Sequence, residues 1–443
     1  MQPNLLKSLR YRFMKNLGAP LLTVLEQRRA TGKRNRGPHP HFGPPLRCNA
    51  RLRQLLTRHY FLSRYAKGAH PVAWVTSGAP VELLRVLDFY TIYPENHGAL
   101  CGAKRMGTEL CTAAEAHGYS QELCAYARID LGHHFTGKTP AGKLPRPDLL
   151  FASNNICQTV VYWYRALAHY WNIPLVLFDT PFNYEALSDM QIEYMSAQLQ
   201  EMIPVLERVS GRRFDVVRLQ QIIGSAKECS ALWGQVLDTM KARPAPMTIF
   251  DAFVHLAPIV SLRGLEGCRT HYRTLLDELR ERVNRGIGAL TVERKRLMWD
   301  NIAVWFKVRE LAGMFAERGL NFVTATYTNA WAETGTMIDP QRPFESLARA
   351  YSQVILNNNL KHRLDLMKRL IREFEVDGLV MHSARSCKPY SIGQYDLKRI
   401  LADQLQIPSV IIEADIADSR SFSEKQVIAQ LELFFEAFED RTE

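Results

Sequence analysis

Several features of secreted, membrane-spanning and ATP-hydrolysing proteins are missing from this sequence. It has no run of about eighteen uninterrupted apolar residues, and its start, MQPNLLKSLRYRFMKNLG, lacks the apolar core and cleavage site of a secretory signal. No GxxxxGK[ST] phosphate-binding loop occurs. We therefore expect a soluble, cytoplasmic protein that does not enter a membrane and leaves ATP hydrolysis to another protein.

Cysteine is sparse and shows no local pairing. The eight cysteines are scattered over 443 residues, without the density of a disulfide framework and without a CxxC motif of the kind that binds zinc locally. We expect reduced thiols, so any metal site must collect ligands that are remote in sequence. For a free cysteine, packing in the core is the more common role.

Positive charge is abundant but confined to one end of the chain. The net charge is +11, yet residues 1–67 alone hold fifteen Lys or Arg against one acid, Glu26, so the remainder is slightly acidic. Residues 31–47 are rich in Pro, Gly and Arg, which predicts a mobile or surface segment. No nucleic-acid-binding motif accompanies the charge. We interpret residues 1–69 as a basic arm that is solvated or binds an acidic partner, and we expect no nucleic-acid partner.

From residue 70 onward, short apolar runs alternate with helix-length segments, the pattern of a parallel α/β sheet. The predicted architecture is two flavodoxin-like α/β domains with four-stranded parallel sheets, residues 70–185 and 291–443, separated by a helical region, residues 186–290. The predicted strands are 72–76, 89–93, 148–153, 174–179, 296–301, 321–326, 378–383 and 408–414.

The two predicted domains repeat one unit. PDLLFASNNIC leads into a helix and then NIPLVLFDTP, while VDGLVMHSARSC leads into a helix and then QIPSVIIEAD. Each unit places a cysteine, Cys157 or Cys387, just past a strand and just before a helix. Ligands of open parallel sheets bind beyond the carboxyl ends of the strands, so both thiols are expected to face one interdomain cleft.

Cys124 lies between the second and third predicted strands and can cover the same cleft. Three thiolates around a four-iron cubane would leave one iron available to an exogenous ligand. Spacing alone leaves the ordinary interpretation open, in which the three cysteines pack in the core. Cys101 and Cys111, in GALCGAKRMGTELC, are alternative ligands.

A set of ordered motifs is similar to one enzyme family. TSGAPVELL, YPENHGA, LCAYARIDLG, SNNICQTVVYWY, NIPLVLFDTPFN, RSCKPYSIGQ and IPSVIIEADIADSR, between about residues 70 and 425, resemble the 2-hydroxyacyl-CoA dehydratase family, which includes the ATP-dependent benzoyl-CoA reductases. The resemblance implies one [4Fe-4S] cluster held by Cys124, Cys157 and Cys387.

Three further positions are candidate catalytic residues. Ser77 and Glu95, each after a predicted strand, match polar residues near the open iron in dehydratase subunits; their ordinary alternatives are a helix cap and an ion pair. His97 can move protons because imidazole titrates near neutral pH, although packing is the more common role of a lone histidine.

The motifs YPENHGA, CAYARIDLG and SCKPYSIGQ resemble most closely the larger, cluster-bearing type of benzoyl-CoA reductase subunit. That resemblance implies low-potential electron transfer to an aromatic acyl-CoA, a homologous partner subunit, an ATP-hydrolysing [4Fe-4S] activator and ferredoxin as the upstream donor. Two alternatives stay open: a subunit of an (R)-2-hydroxyacyl-CoA dehydratase that eliminates water through a ketyl radical, and a non-catalytic electron-relay or structural subunit.

Overall fold

Two parallel sheets form the framework of the protein. The structure is a computed structural model that describes residues 4–31 and 39–439. The first sheet has the order β2-β1-β3-β4 and the second β6-β5-β7-β8, and neighbouring strands are parallel. The strands are β1 Val72–Val75, β2 Tyr90–Ile92, β3 Leu149–Ser153, β4 Leu175–Phe178, β5 Lys295–Asp300, β6 Leu320–Ala325, β7 Gly378–Ala384 and β8 Ser409–Ala414.

All eight predicted strands are confirmed within one or two residues, and so is the fold class. The central strands are buried on both faces, as in the fully buried VAWV of β1 and LLFAS of β3. A parallel strand covered by helices on both sides reads as a continuous apolar run, which is why the sequence located these strands well.

The repeat is visible in matched hydrogen bonds at the start of each sheet. Asp148 accepts from the amide of Val72 at 3.0 Å, and its own amide donates to the Val72 carbonyl at 2.7 Å. Asp377 makes the same pair of bonds with Arg296, at 2.8 and 2.7 Å. The aspartate at the head of each repeat therefore fixes the third strand of a sheet beside the first.

The Ile-Pro motif of each repeat also has a common structural cause. The helix before it ends at a residue in the left-handed region, Asn172 with φ 47° in the first half and Gln406 with φ 50° in the second. This cap stops the helix, and the proline that soon follows cannot continue it. Each half thus turns from helix into its last strand in the same way.

Helices cover both sheets. The N-terminal segment contains α1 Leu5–Phe13, a π-helical turn Met14–Gly18, α2 Ala19–Thr31 and α3 Cys48–Ala66. The first domain contains α4 Glu82–Val86, α5 Pro94–Ala103, α6 Gly107–Glu115, α7 Ala125–Thr136 and α8 Gln158–Trp171. The region between the sheets contains α9 Asp189–Glu201, α10 Ile203–Ser210, α11 Val216–Asp238, α12 Ile249–His255, α13 Ala257–Ser261 and α14 Glu266–Asn284. The second domain contains α15 Val308–Glu317, α16 Thr326–Met337, α17 Pro343–Ser352, α18 Leu360–Glu373, α19 Lys388–Ser391, α20 Gln394–Leu405 and α21 Glu424–Phe435.

The central helical layer draws on two parts of the sequence. Helix α11 packs against α16, and α9 against α17, although α16 and α17 follow strand β6 of the second sheet. The indole of Trp233 donates to the Thr328 carbonyl at 3.0 Å. Gly335 has no room for a side chain, because a Cβ there would lie 2.0 Å from the Cβ of Ser230. The helical region therefore joins the two sheets.

The N-terminal segment is attached to the body of the protein. In α3, the side chains of Leu52 and Leu62 are buried, and the amide of Cys48 donates to Glu278 on α14 at 2.8 Å. Residues 32–38 of the predicted mobile segment lie outside the described residues. Farther on, the amide of Gly43 donates to the Ala289 carbonyl at 2.8 Å, so this part follows the protein surface.

No helix within residues 4–31 and 39–439 combines the length and the hydropathy that crossing a bilayer requires.

A buried ion pair links three regions of the chain. Glu82 on α4 accepts from Arg263 at 3.0 Å, and the hydroxyl of Tyr351 on α17 donates to the same carboxylate at 2.7 Å. The Glu82 and Arg263 side chains are 1% and 3% exposed. Removing one partner of such a pair leaves an uncompensated charge in the interior.

We expect Glu82→Ala to lower the free energy of unfolding by about 3–5 kcal/mol, because Arg263 loses its only carboxylate partner among the described residues. Chemical denaturation measures the change. The matched control is Glu432→Ala, which breaks an exposed pair with Arg318 and should cost less than about 1 kcal/mol. Equal losses in the two variants would contradict the importance of the buried pair.

Candidate active site between the two sheets

Cys157 and Cys387 occupy equivalent positions in the two domains. In each sheet the strand order changes direction once, between β1 and β3 in the first sheet and between β5 and β7 in the second. Ligands of open parallel sheets bind at such a position, beyond the carboxyl ends of the strands. Cys157 follows β3 and is the N-terminal cap of α8, while Cys387 follows β7 and is the N-terminal cap of α19. Cys124 is in turn the N-terminal cap of α7.

The structure brings these three thiols together. Burial raises the pKa of Cys124 well above its ordinary range, and the nearby Cys387 and Cys157 raise it further. Burial together with Cys157 raises the pKa of Cys387 to about 12. The three sulfurs are therefore near enough for a negative charge on one to raise the pKa of another. A cation placed among them would lower these pKa values again.

Hydrogen bonds from backbone amides act against this rise in the pKa of each thiol. The amides of Tyr126 and Ala127 lower the pKa of Cys124, and the amide of Tyr390 does the same for Cys387. Burial raises the pKa of Cys157, and amides in the first turn of α8 partly offset this rise. Each of these amides lies in the first turn of the helix that the cysteine caps, where N–H groups have no partner within the helix. These amides offset part of the cost of a negatively charged sulfur, although burial still leaves the pKa of all three thiols raised.

The other cysteines have different surroundings. Cys124, Cys157 and Cys387 are partly exposed, whereas the remaining five are buried. The alternative ligands contact protein groups instead: Cys101 lies 3.4 Å from Nε2 of His97, and the Cys111 thiol donates to the Ala125 carbonyl at 3.8 Å. Within the described residues no group of three or more His, Cys, Asp or Glu is arranged to hold a single metal ion. A cubane spaces its ligand sulfurs more widely than one ion does.

A hydrogen-bonded bridge connects the Cys124 and Cys387 segments across the domain boundary. The hydroxyl of Ser386, next to Cys387, accepts from the amide of Ala125, next to Cys124, at 3.0 Å. The same hydroxyl donates to Asp415, which follows β8. Both bonds are buried, so the bridge holds two cysteine segments from different domains at a fixed separation.

The Cys157 segment is held in a related way. Asn155 donates to the carbonyls of Gly78, at 2.8 Å, and Tyr351, at 2.7 Å. Its neighbour Asn154 donates to Asp179, the acidic residue that follows β4. Gly78 must be glycine here, because a Cβ would lie 2.4 Å from Oδ1 of Asn155. In both halves an aspartate after the last strand thus binds the polar loop that precedes the cysteine.

Ser77 and Glu95 lie together beside this loop. The amide of Ser77 donates to Oε1 of Glu95 at 3.0 Å, and its hydroxyl lies 3.3 Å from the same oxygen. Oε2 is enclosed and has no hydrogen-bond partner among the described residues. Burial raises the pKa of Glu95 from 4.5 to about 7, although the two bonds from Ser77 lower it. The Glu95 charge in turn raises the pKa of Cys157, which places the carboxyl near that thiol.

His97 points elsewhere. Its Nε2 lies 2.8 Å from the Thr139 hydroxyl, and its ring meets the ring of His133 at 5.3 Å between centroids. The ring is fully buried, and burial lowers its pKa to about 3. A catalytic role for His97 stays a prediction, but its surroundings are those of a neutral histidine packed inside the first domain.

Two tyrosines that were not predicted from the sequence also lie near these cysteines. Tyr126, in the first turn of α7, accepts from the indole of Trp305 at 2.5 Å. Tyr327, at the start of α16, has its pKa raised by burial, by Glu95 and by Cys387. Its position two residues after β6 was a usable signal, since the carboxyl ends of parallel strands lie at the same edge of a sheet.

The fold and site define a class: a protein with two parallel α/β domains whose matched cysteine loops meet in one cleft. Its sequence matches the family model described as 2-hydroxyglutaryl-CoA dehydratase, D-component, over residues 76–438, and the chain belongs to that family. This confirms the family predicted from the motifs.

Named relatives agree with this assignment. The chain is 34% identical over 398 residues to the alpha subunit of (R)-2-hydroxyisocaproyl-CoA dehydratase of Clostridioides difficile, covering 88% of this chain and 96% of the relative. It is 32% identical over 357 residues to the alpha subunit of (R)-phenyllactyl-CoA dehydratase of Clostridium sporogenes, covering 80% and 86%. It is 30% identical over 390 residues to the B subunit of benzoyl-CoA reductase of Thauera aromatica, covering 84% and 90%.

We expect Ser386→Ala to lower the free energy of unfolding by about 1–3 kcal/mol, because the Ala125 amide and Asp415 lose a buried partner. Denaturant titration measures the loss. In the matched control, Ser419→Ala removes an exposed hydroxyl bonded to Thr108 and should change stability by no more than about 0.5 kcal/mol. A Ser386→Ala protein as stable as the control would show that the bridge contributes nothing.

The raised pKa of Glu95 predicts a pH-dependent effect on stability. The folded chain binds this proton more tightly than the unfolded chain, so the contribution of Glu95 to stability falls as pH rises from about 4.5 to about 7. Glu95→Gln should therefore stabilise the chain, purified in the presence of a metal chelator, more at pH 8 than at pH 5. Denaturant titrations at both pH values measure this, with Glu109→Gln, an exposed carboxylate, as the control. An effect of Glu95→Gln that is equal at both pH values would contradict the burial of this carboxyl.

Proposed function

We propose that this chain carries one [4Fe-4S] cluster on Cys124, Cys157 and Cys387 and acts as a subunit of an enzyme that converts an acyl-CoA thioester. The observation that supports this most directly is the convergence of these three cysteines, each at the start of a helix, between two parallel sheets. Membership of an acyl-CoA dehydratase family supports the substrate class.

The residues present fit such a cluster. Burial raises the pKa of all three thiols, and neighbouring thiols raise those of Cys124 and Cys387 further, so these sulfurs gain most when a cation replaces their protons. Amides in the first turns of three helices donate toward the sulfurs. The bridge through Ser386 and the bonds of Asn155 set the spacing of the three segments before any iron binds.

When bound, the cluster supplies single-electron transfer at low potential, and the chain supplies proton handling and an enclosed space. Glu95 can exchange a proton near neutral pH, because burial has moved its pKa to about 7. Ser77 holds Oε1 in place, which leaves Oε2 to meet a substrate group. Tyr126 and Tyr327 lie near Cys387, since that thiol raises the pKa of both hydroxyls.

Two substrate classes follow from different observations. The relatives named as dehydratase alpha subunits favour a 2-hydroxyacyl-CoA that loses water to give a 2-enoyl-CoA. The motifs YPENHGA and SCKPYSIGQ, together with the benzoyl-CoA reductase relative, favour the aromatic acyl-CoA expected from the sequence. We place dehydration first, because most of the named relatives are dehydratase subunits.

The partners follow from the same proposal. The relatives are themselves named as subunits of enzymes, which supports a second, homologous subunit for this chain. A phosphate-binding loop is missing from the sequence, so ATP hydrolysis is assigned to a separate [4Fe-4S] activator that receives electrons from ferredoxin. In the third interpretation, the chain relays electrons or stabilises the complex without turning over substrate.

We expect anaerobically purified chain to contain about four irons, and Cys157→Ser or Cys387→Ser to lose most of them, because each removes one cluster ligand. Iron analysis and the visible absorption spectrum measure this, and a thermal melt confirms folding. The control is Cys101→Ala, which removes an alternative ligand. Retention of iron by both serine variants, or its loss only in Cys101→Ala, would contradict the assigned ligands.

Turnover separates the three interpretations. The chain is co-expressed anaerobically with the neighbouring subunit and the activator, and the complex is given benzoyl-CoA or a 2-hydroxyacyl-CoA. We expect water elimination from the 2-hydroxyacyl-CoA. Activity on benzoyl-CoA alone would favour the reductase, and an intact, iron-loaded complex that converts neither substrate would favour the non-catalytic interpretation.

A further inference from the structure

The N-terminal helices leave a large apolar surface uncovered. Eight large apolar side chains on α1, the π-helical turn and α2 are between 44% and 77% exposed: Leu5, Leu6, Leu9, Phe13, Leu17, Leu21, Val24 and Leu25. We name these eight side chains the N-terminal stripe. Six of the eight recur every four residues, so consecutive members are neighbours on the helix surface, and the row extends over about 30 Å.

The N-terminal stripe is not needed to hold these helices on the protein. Their other side does this: Tyr11 is buried, with its ring 4.7 Å from that of His70, and Ala19 is buried as well. Gly18 lies close to α3, where a Cβ would approach the ring of Phe61 to 3.3 Å. The stripe is therefore presented outward on a fixed support. Contiguous apolar surface of this kind usually marks a binding site.

The charge beside the N-terminal stripe is of one sign. Lys7, Arg10, Arg12 and Lys15 are exposed, and none of them has an ion pair within the described residues. Residues 4–25 contain no Asp or Glu. Two copies of the stripe placed face to face would bring these cations together, which disfavours a second copy of this chain as the occupant.

We propose that the N-terminal stripe binds an apolar groove bordered by Asp and Glu on the partner subunit, a protein whose existence rests on the proposed function. A bilayer with anionic lipids also matches the charge. We favour the protein, because the relatives are named as subunits, and a subunit is expected to contact another protein through exposed apolar surface. The N-terminal stripe lies outside the region matched by the family model, which begins at residue 76.

The test uses the full chain co-expressed with the neighbouring subunit. The double variant Leu9→Asp, Phe13→Asp should weaken the complex at least about tenfold, because central apolar contacts carry most of the binding energy. Sedimentation velocity over a concentration series measures the affinity. The matched control, Val217→Asp with Leu433→Asp, places the same charges on α11 and α21 at 57% and 68% exposed positions and should bind normally.

A second variant tests the charge. Lys7→Glu with Arg12→Glu should weaken the complex at low salt and much less at high salt, because salt screens exposed charges. Iron content and the visible spectrum of the Leu9→Asp, Phe13→Asp chain should equal those of the unmodified chain. An unmodified chain that contains no iron would instead contradict the proposed function, so failure of the docking proposal and failure of the proposed function are distinguishable.

Three outcomes would overturn the docking proposal. One is a complex of unchanged affinity in the Leu9→Asp, Phe13→Asp variant. Another is binding of the unmodified chain, but not of this variant, to vesicles of phosphatidylcholine and phosphatidylglycerol, with the subunit complex unaffected; this would assign the N-terminal stripe to lipid. The third is a self-association of the chain that the variant abolishes, again with the subunit complex intact.

Discussion

The structure depends on the placement of two parallel sheets so that loops beyond their carboxyl ends lie beside each other. The carboxyl ends of parallel strands lie at the same edge of a sheet, so the loops that follow these strands are neighbours. Cys157 and Cys387 reach the cleft because each follows the third strand of its own sheet. The buried bonds from Ser386 to Ala125 and Asp415 then hold the two halves together at the position where the thiols meet.

The framework was predictable because its physical causes are local. Strands buried on both faces read as short apolar runs, and the matched Asp, Cys and Ile-Pro positions are enough to reveal the repeat in the sequence alone. The position of Cys124, which follows helix α6 rather than a strand, was expected only from the family resemblance. The closeness of Cys157 to Cys387, and of Ser77 to Glu95, also followed from strand ends. These side chains needed only the general rule for where loops of a parallel sheet meet.

Features that depend on contacts distant in sequence were missed. The bond between Ser386 and Ala125 joins residues 261 positions apart, and nothing in either local sequence indicates it. The packing of α16 on α11 mixes two predicted domains, because helices that follow β6 fill the layer assigned to residues 186–290. His97 lies only two residues from Glu95 on α5, but two residues rotate a helix by more than half a turn, so the two side chains face different surroundings.

The division of the cysteines between the two sheets also concerns the order in which the protein is made. Cys124 and Cys157 belong to the half that is synthesised first, whereas Cys387 lies near the end of the chain. A nascent chain therefore exposes an incomplete set of thiols until β7 has entered the second sheet. The three thiols meet only after both sheets have formed, so a ligand that needs all three binds after the second half has folded.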